Sequence, residues 1–237
     1  MPPSELRKEA REALAGKWGK GVCIILAYAL ISFILELVML AFQANQVVSL
    51  VLSLLVLIIS VPLSYGLIVS FIKLKRGDST SAFDFLEDGF KNFSRSWKLE
   101  LWTFVKLLLP ILCLIVVIAL LVATFGTMYI VGNNLKIGIG IIISILYLAC
   151  VVYIVVRSLL YALAQFIAID NPEMTAKECV LKSQELMTGN RGNLFLLALS
   201  FIGWIILCGF TLYIGLLWLI PYMQVATICF YDRLKSK

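Results

Sequence analysis

Three ionisable residues stand inside long apolar stretches: Glu36, Lys106 and Arg157. A charge in hydrocarbon is expensive, so it is kept where it meets a partner, a water-filled cavity or the membrane surface. Lys106 lies a few residues beyond Glu100, and its four-carbon stem lets the ammonium reach the interface. Arg157 and Glu36 are deeper, about 18 and 22 Å from the cytoplasmic ends of their segments at ~1.5 Å per residue. Three chemistries fit them: an ion pair joining two helices, a polar substrate or lipid-headgroup site around Arg157, or separate access to water. Pro62 and Pro221 each remove a backbone donor and bend a helix, either as a packing feature or along a transport path. Tyr65, Tyr222 and Gln224 beside them offer polar lining. Tyr161 and Gln165 serve as lining or as interfacial anchors.

Other chemistry finds little to use. Histidine is absent, which removes the commonest metal ligand and proton shuttle. No HExxH, GxSxG or phosphate-binding loop occurs, and Asp84, Glu87 and Asp88 fall on a polar helix face. Cys23, Cys113, Cys150, Cys179, Cys208 and Cys229 form no CxxC pair, and five lie in apolar runs, where they read as small hydrophobes. The expectation is no catalytic residue, no cofactor and no metal. The net charge of +6 comes without a basic domain or base-reading motif, so nucleic acid is not an expected partner.

The elements that hold these residues are membrane helices. Hydrophobic residues make up 62% of the chain and charged ones only 14%, far from the ~45–50% and ~25% of soluble domains. The pattern predicts an all-α, polytopic membrane protein, 1–237 as one integral membrane domain. Six transmembrane helices fit, at about 21–43, 46–72, 101–124, 138–168, 193–209 and 212–231. The fourth is overlong and should tilt or protrude. The last two share one uncharged stretch, Asn193 to Tyr231, folded as a hairpin near Gly209 or Gly215. The first apolar run, from Gly21, has span length and is expected to be retained as a helix. Seventeen Lys and Arg fall in segments 1–20, 73–100, 170–192 and 232–237, against Lys136 alone in the loop 125–137 opposite. This positive-inside bias places the N- and C-termini in the cytoplasm.

The cytoplasmic loops carry their own periodicity. Phe83, Leu86, Phe90, Phe93 and Trp97 recur at helical spacing, an aromatic face suited to the membrane interface or to packing on the protein's own helices. Ser81 with Asp84 and Thr175 with Glu178 have the form of capping boxes, and Gly189 is a stop for the second helix. A shift of 94 residues lays Asp84 on Glu178 and Phe93 on Met187; a shift of 173 lays Glu5 on Glu178 and Gly16 on Gly189. Two or three amphipathic interfacial helices, and a threefold repeat of helix plus hairpin over 1–72, 77–169 and 171–231, are therefore expected.

ALAGKWGKG, DNPEMTAKECVLKSQELMTGNRGN and PYMQVATICFYDRL together resemble a family of Gram-positive integral membrane proteins known as domain of unknown function 975. The layout is more distantly similar to the membrane domain of glycerophosphodiester phosphodiesterases, without their enzymatic domain. The resemblance implies six helices in a bacterial cytoplasmic membrane and brings no activity with it. The expected role is a non-enzymatic scaffold or accessory component of an envelope or export process, with the bilayer and a cytoplasmic protein as partners. The alternative is a small transporter with a polar site near Arg157 and Glu36.

Overall fold

A computed structural model describes residues 2–131 and 134–236, and the side chains of all of these except 126–131 and 134–137. Its helices are α1 (Pro3–Leu14), α2 (Trp18–Ala41), α3 (Gln46–Arg76), α4 (Asp84–Lys91), α5 (Phe93–Val131), α6 (Asn134–Ser158), α7 (Ala164–Asp170), α8 (Ala176–Met187), α9 (Arg191–Leu199), α10 (Ile202–Phe210) and α11 (Leu216–Lys235). A 3-10 turn, Leu159–Tyr161, links α6 to α7. No strand occurs among the described residues. The expected loop 125–137 shrinks as α5 and α6 run into it; the Lys136 side chain and residues 132–133 lie outside the described residues.

Five stretches are long and apolar enough to cross a membrane: Trp18–Ala41, Gln46–Arg76, Phe93–Phe125, Gly138–Asp170 and Arg191–Phe210. They mark an integral membrane protein. Helix α11 is apolar for most of its length but ends in Asp232, Arg233 and Lys235. The outer parts of α2, α3, α5 and α6 expose leucines, isoleucines and valines along their length, as lipid-facing helices must.

The buried core sits at one end. It joins the inward face of α1 (Leu6, Ala10, Leu14) to the C-terminal parts of α3, α7 and α11 and to α8. Helix ends there are finished locally. Pro3 opens α1, where its missing N–H is no loss. Gly16, Gly77 and Gly189 take left-handed backbone after α1, α3 and α8. Thr175 and Glu178 form the expected reciprocal capping box. Ser81 and Asp84 form half of theirs: the Asp84 carboxylate accepts from the Ser81 N–H at 2.9 Å.

Breaks in the long arms are mended by neighbours. Pro62 leaves the Ile58 carbonyl without its helical donor, and the Trp97 indole N–H supplies one at 3.1 Å. The fourth arm, expected as one helix over 138–168, breaks after Ser158. Ser183 of α8 donates to the Leu160 carbonyl at 2.8 Å and accepts from the Leu163 N–H at 3.2 Å. Backbone groups freed inside a bundle need such partners. Arg95 donates to the carbonyls of Ala168, Asn171 and Pro172 and so closes the C-terminus of α7.

The amphipathic helix expected through Trp97 stops at Asn92, whose side-chain amide bonds the Asp88 carbonyl. Phe93 and Trp97 belong instead to the first turns of α5. Phe85 and Gly89 face the core, while Phe83, Phe90 and Phe93 are exposed and Leu86 is half-buried. Helix α4 turns this way because it meets α3 through glycines. A Cβ on Gly66 would overlap the Phe85 carbonyl and stand 2.8 Å from the Gly89 nitrogen. A bulkier residue at either position would hold the backbones apart.

Candidate functional site

The structure does not bring Glu36 and Arg157 together. Glu36 is exposed on α2. Arg157, in the last turn of α6, lies over the Tyr153 ring with 5.9 Å from guanidinium carbon to ring centre. Its Nε is buried with no hydrogen-bond partner among the described residues. Tyr65 and Tyr161 are buried in the core rather than anchored at a surface. Tyr222 also packs there, and its hydroxyl donates to the Arg7 carbonyl at 3.1 Å.

Charge converges elsewhere, where the ends of α1, α3, α7 and α11 meet. The Asp170 carboxylate is 3% exposed and takes Arg76 Nη2 at 2.5 Å, Lys235 Nζ at 2.9 Å and the Tyr231 hydroxyl at 3.2 Å. Lys75 reaches Asp232 at 2.5 Å and Glu9 at 4.0 Å. Arg233 joins Glu5 at 2.9 Å and Glu9 at 3.0 Å. A buried charge is tolerated when paired and hydrogen-bonded, and Asp170 has all three donors it needs. These pairs tie the end of α1 to the ends of the arms that return to it. On α8, the backbone N–H and hydroxyl of Thr175 hold the exposed Glu178 carboxyl below its ordinary range. Burial pushes the Cys179 thiol upward, which suits a core residue and not a nucleophile.

A recess of about 460 Å³ opens between α1, the start of α2, α10 and α11. Trp18, Trp204, Trp218 and Tyr222 supply aromatic wall, and Arg7 and Arg11 project from one stripe of α1. The Tyr222 ring is held edge-on to Phe201, centroids 5.1 Å apart, and 6.2 Å from Trp18. Arg7 Nη1 donates to the Ser200 carbonyl at 3.4 Å, where α9 gives way to α10. Among the described residues no hydrogen bond or ion pair holds the Arg11 side chain. Neither Glu36 nor Arg157 lines the recess.

The whole chain, residues 1–237, matches the family described as "Protein of unknown function (DUF975)". The chain belongs to that family. No curated protein and no solved structure matches it. Two features of this DUF975 chain were hidden in its sequence. Asp170 reads in sequence as a loop residue, since nothing local says that Arg76, Tyr231 and Lys235 converge on it. Arg7 and Arg11 read as topological charges, although their spacing of four puts them on one helix face.

Proposed function

We propose that this DUF975 protein is a non-enzymatic scaffold or accessory component of an envelope or export process in a bacterial cytoplasmic membrane. Three helical hairpins supply six membrane-embedded arms, and both termini lie on the cytoplasmic side. The ion-paired cluster around Asp170 carries this reading. Helix α1, before the first arm, and the ends of α3, α7 and α11, after the second, fourth and sixth, all meet there. That is the arrangement three out-and-back hairpins produce. The Lys and Arg excess on the same side agrees with it.

The threefold repeat gains support from packing. Leu6, Phe85 and Cys179 correspond under the shifts of 94 and 173, and so do Ala10, Gly89 and Ser183; all six are buried. Each short helix seats these residues on the returning arm of the unit before it: α4 on α3, α8 on the α6–α7 joint, and α1 on α11. The circle closes, so the cytoplasmic side forms one braced platform. Its exposed aromatics Phe83, Phe90 and Phe93 face the interface. A partner protein would dock on its solvent side.

A transporter is the second reading because Arg157 Nε is buried without a hydrogen-bond partner among the described residues. Proteoliposomes screened for solute and ion flux separate the two. The scaffold reading expects flux no different from protein-free vesicles. Uptake abolished by Arg157→Gln would replace it with the transporter.

A further inference from the structure

The third hairpin is shorter than the first. Helix α4 crosses α3 at Gly66, and from there to the outer end at Gln46 is about 30 Å, enough for a hydrocarbon core. Helix α1 crosses α11 near Tyr222, which bonds its backbone. From Tyr222 to the start of α11 is only about 9 Å, and from Ser200 to the end of α10 about 15 Å.

The tips differ accordingly. The first hairpin turns through Gln43, Asn45 and Gln46. The third turns through Phe210, Leu212, Tyr213 and Ile214, all strongly exposed. Its polar groups bond inwardly: Tyr213 N–H to the Cys208 carbonyl at 2.9 Å, Ile214 N–H to the Thr211 carbonyl at 3.0 Å, and Gly215 N–H to the Thr211 hydroxyl at 3.3 Å. A turn that exposes these apolar and aromatic side chains suits hydrocarbon, as Gln43, Asn45 and Gln46 of the first turn would not.

With its tip inside the bilayer, the recess beside α10 and α11 opens toward lipid rather than toward bulk water. Arg7, half-buried, and Arg11, exposed, stand at the rim of this apolar chamber, where cations beside a bilayer surface draw anions. The anion a bilayer supplies is the phosphate of a lipid, which the guanidinium fork matches. We propose that the recess binds an anionic phospholipid, its phosphate on Arg7 and Arg11 and an acyl chain against Trp204 and Trp218. This inference needs α10 and α11 to be membrane-embedded but does not depend on a scaffolding role.

Native mass spectrometry of the full chain in detergent, titrated with phosphatidylglycerol or phosphatidylcholine, tests it. Both lipids offer a phosphodiester, but the quaternary ammonium of phosphatidylcholine cancels its charge, so phosphatidylglycerol should bind about tenfold more tightly. Arg11→Gln, which disturbs no internal bond, should erase most of that preference. Arg7→Gln should add to the loss, and Lys182→Gln, an exposed charge on α8, should leave the preference intact. Equal binding of the two lipids overturns the proposal. Equal losses in Arg11→Gln and Lys182→Gln overturn it as well.

Discussion

Replacing Gly89 with alanine tests the seam on which α4 is set. The new Cβ would stand 2.9 Å from the Pro62 carbonyl carbon and closer still to its oxygen, where ordinary contact is 3.4–4 Å. Both obstructing atoms are backbone, so no rotamer change relieves the clash, and α4 must withdraw by about 1 Å. Overpacking of this kind costs about 1–3 kcal/mol, and rigid neighbours put Gly89→Ala near the upper end. For a chain of this size ~3 kcal/mol lowers the melting temperature by about 6–12 °C. Withdrawal also strains the Lys73–Asp88 pair, now 2.6 Å. Thermal unfolding in detergent, followed by circular dichroism, reads the effect. Gly203→Ala is the control, since nothing lies within 4 Å of its added carbon. Gly66→Ala should act like Gly89→Ala, and the two should not add, because they open one seam. If Gly89→Ala melts with Gly203→Ala, the close approach of α3 and α4 is wrong.

Trp97→Phe should cost about 1–3 kcal/mol by stranding the Ile58 carbonyl, and Pro62→Ala, which restores an N–H at position 62, should recover most of it in a double-mutant cycle of melting temperatures. Asp170→Asn should cost about 1.5–3 kcal/mol because the buried carboxylate accepts charge-assisted bonds from Arg76 and Lys235 and a third from Tyr231, whereas Glu12→Gln, which breaks the exposed pair with Lys8, should cost well under ~1 kcal/mol; chemical unfolding of each variant measures the contrast. Thr175→Ala should cost about 1 kcal/mol through loss of its cap. Because the folded Glu178 carboxyl is depressed, its contribution is complete above the ordinary carboxylate range and fades as pH falls through the lower folded value. The stability difference between wild type and Glu178→Gln should therefore be present at neutral pH and vanish on acidification. Glu36→Gln and Arg157→Gln should have independent, additive effects on melting, since among the described residues no ion pair joins them.

What was legible in the sequence was whatever depends on local period or on bulk solvent. Apolar run length gave the membrane arms, and Thr175 with Glu178 gave a capped helix. Gly16 and Gly189, each a stop after a short helix, both take left-handed backbone. What was hidden depends on contacts between distant segments. The aromatic spacing through Phe83, Phe90 and Trp97 is helical, but it ignored the neighbour, and glycine-mediated contact with α3 turns Phe85 inward instead. The break after Ser158 has no local proline or glycine; it exists because Ser183, on another helix, serves the freed backbone. Glu36 and Arg157 share only a depth in the sequence, which says nothing about direction around a helix. Helix α11 is less apolar on average than the five membrane-length stretches because it ends in Asp232, Arg233 and Lys235, which pair with α3, α1 and Asp170.

The account stands on all three hairpins returning to one cytoplasmic platform. Its most direct measurement is labelling by a membrane-impermeant maleimide in intact cells, using a cysteine-free background with single substitutions Ser4→Cys, Asn45→Cys and Ser236→Cys. The account predicts that Asn45→Cys labels from outside, while Ser4→Cys and Ser236→Cys label only after the membrane is opened. Labelling of Ser236→Cys in intact cells, with Ser4→Cys protected, would put the two ends on opposite sides and contradict it.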